Sequence, residues 1–251
     1  MRTSPCLPLL LLVLAPAALA NTAIETETAQ IGEQGEIGTS NSVEIERAKD
    51  GYALGTLTQF EYGITDHSEI LIEPFFYQAE LPDLGGNVHG SGDLEISPSY
   101  EFITEKGARP AVLLAFKLKV PVGAVPDFST GKFDYYPYFI FGKHVAGLTF
   151  NANLGVNFTT PVRSTDKVGE TVVWDLEVER NIGGKKGDNA GEDTNAPVTV
   201  FAEVFSAEEG IFTASAAFQV NPTPKIGIFV ASSYDVEGSF VVRPGINFDF
   251  Y

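Results

Sequence analysis

The stretch Phe240-Val-Val-Arg-Pro-Gly-Ile-Asn-Phe-Asp-Phe-Tyr251 alternates apolar and polar residues and stops on an aromatic side chain at the C-terminus. Successive side chains of a strand point to opposite faces, so the alternation gives one apolar and one polar face. A last strand of this kind is how an outer-membrane β-barrel finishes.

The other end fits that expectation. Arg2 supplies a charged start, residues 7–14 an apolar core and Ala18-Leu19-Ala20 a small-residue cleavage motif, which predicts a signal peptide over 1–20 and a mature chain from Asn21. Residues 21–39 are expected as an N-terminal periplasmic segment and 40–251 as a barrel in the outer membrane of a Gram-negative bacterium. Nothing after the leader offers the ~20 consecutive apolar residues of a transmembrane helix, so insertion would be by strands. Cys6, the one cysteine, lies in the leader ahead of its apolar core, which excludes thiol chemistry, disulfides and a lipidated cysteine from the processed chain. Losing residues 1–20 removes Arg2 and no acid, leaving 15 Lys+Arg against 33 Asp+Glu and a formal charge of −18, a balance that repels nucleic acid.

Between the ends, runs of about ten residues with period two are separated by turn-formers. In 93–102, Leu94, Ile96, Tyr100 and Phe102 oppose Asp93, Glu95, Ser97, Ser99 and Glu101. The same split recurs in 148–158, 172–179 and 212–220. Strands are predicted near 40–48, 53–62, 68–78, 91–103, 110–121, 133–143, 147–160, 170–180, 197–206, 211–221, 225–234 and 239–251, an even number as single-chain bacterial barrels require. The fold expected is all-β, an antiparallel, transmembrane, up-and-down β-barrel of 12 strands. A soluble sandwich or lipocalin alternates in the same way with its apolar face inward, but twelve strands enclose a space too wide for side chains to fill, so the apolar face is assigned to lipid.

With both termini in the periplasm, 63–67, 142–147 and 221–224 become periplasmic turns, and 79–90, 122–132 and 160–169 become longer external loops. Residues 181–196 break the pattern, being long, polar and periplasmic: either an unusual loop or a strand count off by one. Pro74, Pro98, Pro137 and Pro244 fall inside predicted strands, where each deletes a ladder donor, and bulges or strand rims are the expected remedy.

If the uncharged faces meet lipid, the lumen carries Glu69, Glu73, Asp93, Glu95, Glu101, Asp175, Glu177, Glu179 and Glu203 against Lys117, Lys119 and Arg243. Single-sign charge along a pore favours the opposite ion, which predicts cation preference, whereas pairing of these groups would build an internal plug. The sixth strand has the reverse parity and turns Asp134, Tyr136 and Tyr138 inward, so that the two tyrosines form a candidate track for aromatic solutes or simply fill space. Phe60, Tyr62, Tyr100, Phe102, Phe158, Trp174, Phe248 and Phe250 suit interfacial girdles. Phe248, Phe250 and Tyr251 are the expected insertion signal read by the barrel-assembly machinery, with outer-membrane lipid as the other partner.

Chemistry is sparse. His67 and His144 lie in turns and are expected to be solvated. His89, Ser91 and Asp93 alternate on one strand and are the only triad-like grouping, although neighbours on one strand rarely align nucleophile, base and orienter. The oxygen-rich loop 187–195 lacks EF-hand spacing, and neither a phosphate-binding glycine motif, HExxH nor a dinucleotide fingerprint is present. The sequence implies no cofactor and no metal.

Glu61-Tyr-Gly-Ile-Thr-Asp-His-Ser-Glu-Ile-Leu-Ile-Glu73, then Gly90-Ser-Gly-Asp-Leu-Glu-Ile96 with Tyr100, then Phe116-Lys-Leu-Lys-Val-Pro-Val-Gly123 and Phe201-Ala-Glu-Val-Phe205, follow one another in an order that resembles the outer-membrane channel family named for the meta-pathway of phenol degradation. The resemblance spans about residues 55–251. It has two departures. Pro121-Val122-Gly123 stands in place of Pro-Thr-Gly, and Tyr251 stands one residue beyond the outward phase held by Phe248 and Phe250.

The resemblance implies a channel or facilitated transporter for small solutes and is the only ground for a hydrophobic or aromatic cargo. The alternatives are an occluded structural or adhesive barrel, and a surface lipase or esterase built on His89, Ser91 and Asp93.

Overall fold

The computed structural model describes residues 26–48, 51–81, 86–123, 131–160, 168–183, 185–186, 193–194, 196–206 and 212–250. The leader expected over 1–20, most of the loop 187–195 and Tyr251 lie outside these residues.

The strands are β1 (Ile37–Ala48), β2 (Gly51–Thr65), β3 (Ser68–Leu81), β4 (Gly86–Ile103), β5 (Ala111–Val120), β6 (Asp134–Val145), β7 (Leu148–Thr159), β8 (Gly169–Ile182), β9 (Lys185–Lys186), β10 (Asp193–Thr194), β11 (Val198–Ser206), β12 (Phe212–Thr223), β13 (Ile226–Asp235) and β14 (Phe240–Phe250). All except β9 and β10 form one closed barrel of twelve antiparallel strands, sealed by the pairing of β1 with β14. The expected fold and strand number are those observed. The excess length of 181–196 is explained by β9 and β10, which pair only with each other as a small ribbon apart from the barrel wall, so the count of wall strands stays at twelve.

Three of the four prolines sit in the wall without a bulge. Pro98 keeps register with Ile70 on β3, while the β4–β5 ladder passes from Ile96↔Leu118 to Ser99↔Ala115 without a shift. Pro137 pairs with Phe116 and leaves a like gap toward β7, and Pro244 pairs with Val230 and leaves one toward β1. A proline lacks one donor, so it weakens the ladder toward one neighbour only. Pro74 is the exception, at a register shift toward β4. The tight β6–β7 hairpin turns through Ala146 and Gly147, both at positive φ (54° and 80°), the geometry that matches strand twist.

The outward faces are apolar and exposed, among them Leu114, Phe116, Phe150, Leu154, Leu176, Phe218 and Val230. Phe60, Tyr62, Tyr100 and Phe102 crowd the end that carries the short turns, and Tyr52, Phe212, Tyr234 and Phe240 the opposite, loop end. An apolar belt between two aromatic bands, interrupted on β1 and β2 by outward Thr39, Asn41, Thr56 and Thr58, is the exterior of a membrane-spanning barrel. Among the described residues two apolar patches face inward: Ala111, Leu113, Ala115, Tyr138 and Ile140 on β5–β6, and Phe201, Ala217, Phe229 and Ala231 on β11–β13.

Candidate functional site

The chain ahead of β1 shapes the lumen. Residues 26–36 lie against inward-facing side chains of the barrel. Gly35, at φ 89°, donates its N–H to the Gly63 carbonyl at 2.8 Å, and Gly63 donates to the Glu36 carbonyl at 2.9 Å, which anchors the segment at the turn end. Further in, Gly32 N–H donates to Glu69 Oε2 at 3.1 Å and Ala29 N–H to Asn151 Oδ1 at 3.3 Å. Thr26 donates both its N–H (2.5 Å) and its hydroxyl (2.6 Å) to Glu203 Oε1, and is only 1% exposed. Ala29 and Ile31 pack on the inward patch of β5–β6. The physical reason for the inward path is that lone backbone donors find carboxylate and amide acceptors while two apolar side chains leave water. The barrel is cut to fit: a Cβ on Gly63 would lie 2.1 Å from the Glu33 carbonyl oxygen, and one on Gly142 would lie 2.4 Å from the Ala29 Cβ.

Near mid-lumen, Lys117 joins three elements. Its Nζ lies 3.2 Å from Glu95, 3.3 Å from Glu73 and 3.6 Å from Glu27 of the N-terminal segment. Gln59 donates to Glu73 at 2.8 Å, and Asn153, with its amide oriented to suit, accepts from Glu27 N–H (2.7 Å) and donates to the Glu27 carbonyl (3.0 Å). Toward the loop end Lys119 pairs with Asp134, which also accepts from Thr160 N–H at 2.7 Å, and Asp93 accepts from Gly123 N–H at 3.2 Å.

The remaining sequence-derived lumen residues are distributed around the wall. Glu177 accepts from Asn151 at 2.9 Å, Glu179 from Asn181 at 2.7 Å, and Glu203 from Ser215 at 2.8 Å. Arg243 pairs with Glu44 at 2.5 Å across the β1–β14 seam. Glu101 sits at the turn-end rim, where His67 Nδ1 lies at 2.9 Å. The Tyr136 and Tyr138 rings stack inward with centroids 4.4 Å apart and planes at 10°. Phe248 and Phe250 occupy the end of β14 beside the β1 start.

Above the N-terminal segment is a cavity of about 390 Å³, lined by Glu27, Lys117, Lys119, Asp134, Asp175, both stacked tyrosines and Phe205, among others. The arrangement can hold a small solute against an aromatic wall with charges of both signs nearby. Sequence reasoning found most of these groups but missed the N-terminal segment, Glu27 and Phe205. The inward glycines 63 and 142 were the available signal for a chain passing close to the wall.

One expectation changes at the rim. His67 is a solvated turn residue, its side chain 56% exposed beside Glu101, whereas the His144 side chain is only 17% exposed and lies 2.6 Å from Glu105. Of the triad-like grouping, Asp93 is engaged by Gly123 N–H, and the His89 side chain lies outside the described residues.

No protein-family model matches the chain, and no curated protein matches it in sequence. Among solved structures, the COG4313 outer membrane channel from Pseudomonas putida F1 is similar with a TM-score of 0.62 at 10% identity, over 92% of this chain and 100% of that one. The NanC porin is similar at 0.58 and 13% identity, over 84% and 98%. The KdgM porin in complex with disordered oligogalacturonate is similar at 0.58 and 11% identity, over 85% and 99%. Likeness at such identities is one of fold, and it places this closed twelve-stranded barrel in the porin-like architecture.

Proposed function

We propose that this protein is a channel for small solutes in the outer membrane of a Gram-negative bacterium. The observation that carries the reading is the cavity of about 390 Å³ at the loop end of the lumen, where charged side chains and a tyrosine stack converge. The acids facing the lumen exceed Lys117, Lys119 and Arg243, so the pore prefers cations. The tyrosine stack and Phe205 suit a solute with an aromatic or other apolar face, in keeping with the resemblance to the phenol-degradation meta-pathway family. Phe248, Phe250 and Tyr251 serve recognition by the barrel-assembly machinery. No enzymatic step is assigned to Ser91 or Asp93.

The reversal potential of the refolded protein in a planar bilayer under a salt gradient tests this. Conductance with cation preference, reduced when Glu177 is changed to Gln, is expected. A second reading, an occluded barrel, is favoured by the path of residues 26–36 through the turn-end half of the lumen. On that reading the folded protein is silent, and deleting 26–36 opens it.

A further inference from the structure

We infer that the outer face of β1 and β2 is the contact between two copies of this barrel in the membrane. Outward positions are identified by the exposed Ile37, Val43 and Ile45 of β1 and Tyr52, Leu54, Phe60 and Tyr62 of β2. In the same phase, between those apolar residues, stand Thr39, Asn41, Thr56 and Thr58. Asn41 is registered opposite Thr58, whose hydroxyl donates to Asn41 Oδ1 at 3.1 Å. Elsewhere in the described wall the outward positions away from the strand ends are mainly apolar, with Ser91 of β4 and Ser232 of β13 among the polar exceptions.

Hydrocarbon offers no hydrogen bonds, so an amide left facing it keeps an unmet donor that a partner's acceptor would satisfy. The Thr58 hydroxyl occupies the Asn41 carbonyl oxygen, and among the described residues no hydrogen bond is made by the Asn41 amide nitrogen. An amide is both donor and acceptor, so two Asn41 side chains across a two-fold axis satisfy one another, as an isologous interface requires. Pro74 of β3 and Pro244 of β14 flank the patch on the neighbouring strands and, having no long side chain, leave room for close approach.

The test uses the full chain in native membranes, with Cys6→Ala and a single reporter thiol, treated with a flexible bis-maleimide. Val43→Cys is expected to give a covalent dimer, and Leu154→Cys, on the outward face of β7, none. Adding Asn41→Leu and Thr58→Val to the Val43→Cys chain should lower the dimer yield about tenfold, the scale a strong polar contact carries within a bilayer. Heat-modifiable migration on gels verifies that each variant is folded. Absence of dimer at Val43→Cys, equal yield at Leu154→Cys, or a yield unmoved by the added substitutions would overturn the inference.

Discussion

The two halves of the lumen are built on the same alternating strands yet hold different contents. In the turn-end half, residues 26–36 occupy the space and are held by Glu69, Asn151 and Glu203. In the loop-end half, similar polar side chains surround a cavity. The difference teaches that strand pattern sets which side chains face inward, whereas access through a barrel is set by chain that is not part of the wall. Lys117 stands at the boundary and binds carboxylates from both sides of it.

The largest effect is therefore expected at Lys117. Lys117→Met leaves Glu27, Glu73 and Glu95 facing one another without their shared cation, which costs about 3 kcal/mol or more, the scale of breaking a buried pair. Denaturant-induced unfolding in detergent should show that loss, and any conducting protein should become more cation-selective. An unchanged midpoint would mean that the two halves are not coupled through this residue.

A smaller effect follows at Glu203, which touches only the end of the segment. Glu203→Ala removes the acceptor for both Thr26 donors and is expected to cost about 1.5–3 kcal/mol, the range for hydrogen bonds to a charged group. Limited proteolysis should then cut within 26–36 in the variant while the barrel stays intact. Gly142→Ala acts on the same docking from the wall, because the new Cβ would stand 2.4 Å from that of Ala29. It should displace the segment at a cost of about 1–2 kcal/mol, typical of overpacking, and raise single-channel conductance. Conductance equal to that of the wild type would show that the turn-end filling does not limit passage.

The wall of both halves was readable from sequence because period two is a local signal. Asp93 to Phe102 declares its faces outright, and the reversed parity of β6 turns Tyr136 and Tyr138 inward just as the alternation implies. The filling was not readable, since Thr26 and Glu203 are 177 positions apart and residues 26–36 carry no strand period. Separation along the chain also hid the carboxylate partners of His67 and His144, which stand 34 and 39 positions away. Pro98, Pro137 and Pro244 were ambiguous because the cost of a missing N–H depends on which neighbour it would have faced.

The smallest effect lies at the turn-end rim, outside both halves. Partial burial raises the pKa of Glu105, but hydrogen bonds from Lys143 and His144 more than offset that and hold its carboxyl below the usual range. A carboxyl whose pKa is lower folded than unfolded contributes stability above its unfolded pKa and loses it as pH falls through the folded value. Solvent screening limits the contribution to under about 1 kcal/mol. Wild type and Glu105→Gln should thus differ slightly in thermal midpoint at pH 7, and the gap should close as the pH drops below about 4. A gap that persists in acid would assign the stabilisation to the neutral hydrogen bonds of the rim, and leave charge to matter chiefly in the lumen around Lys117.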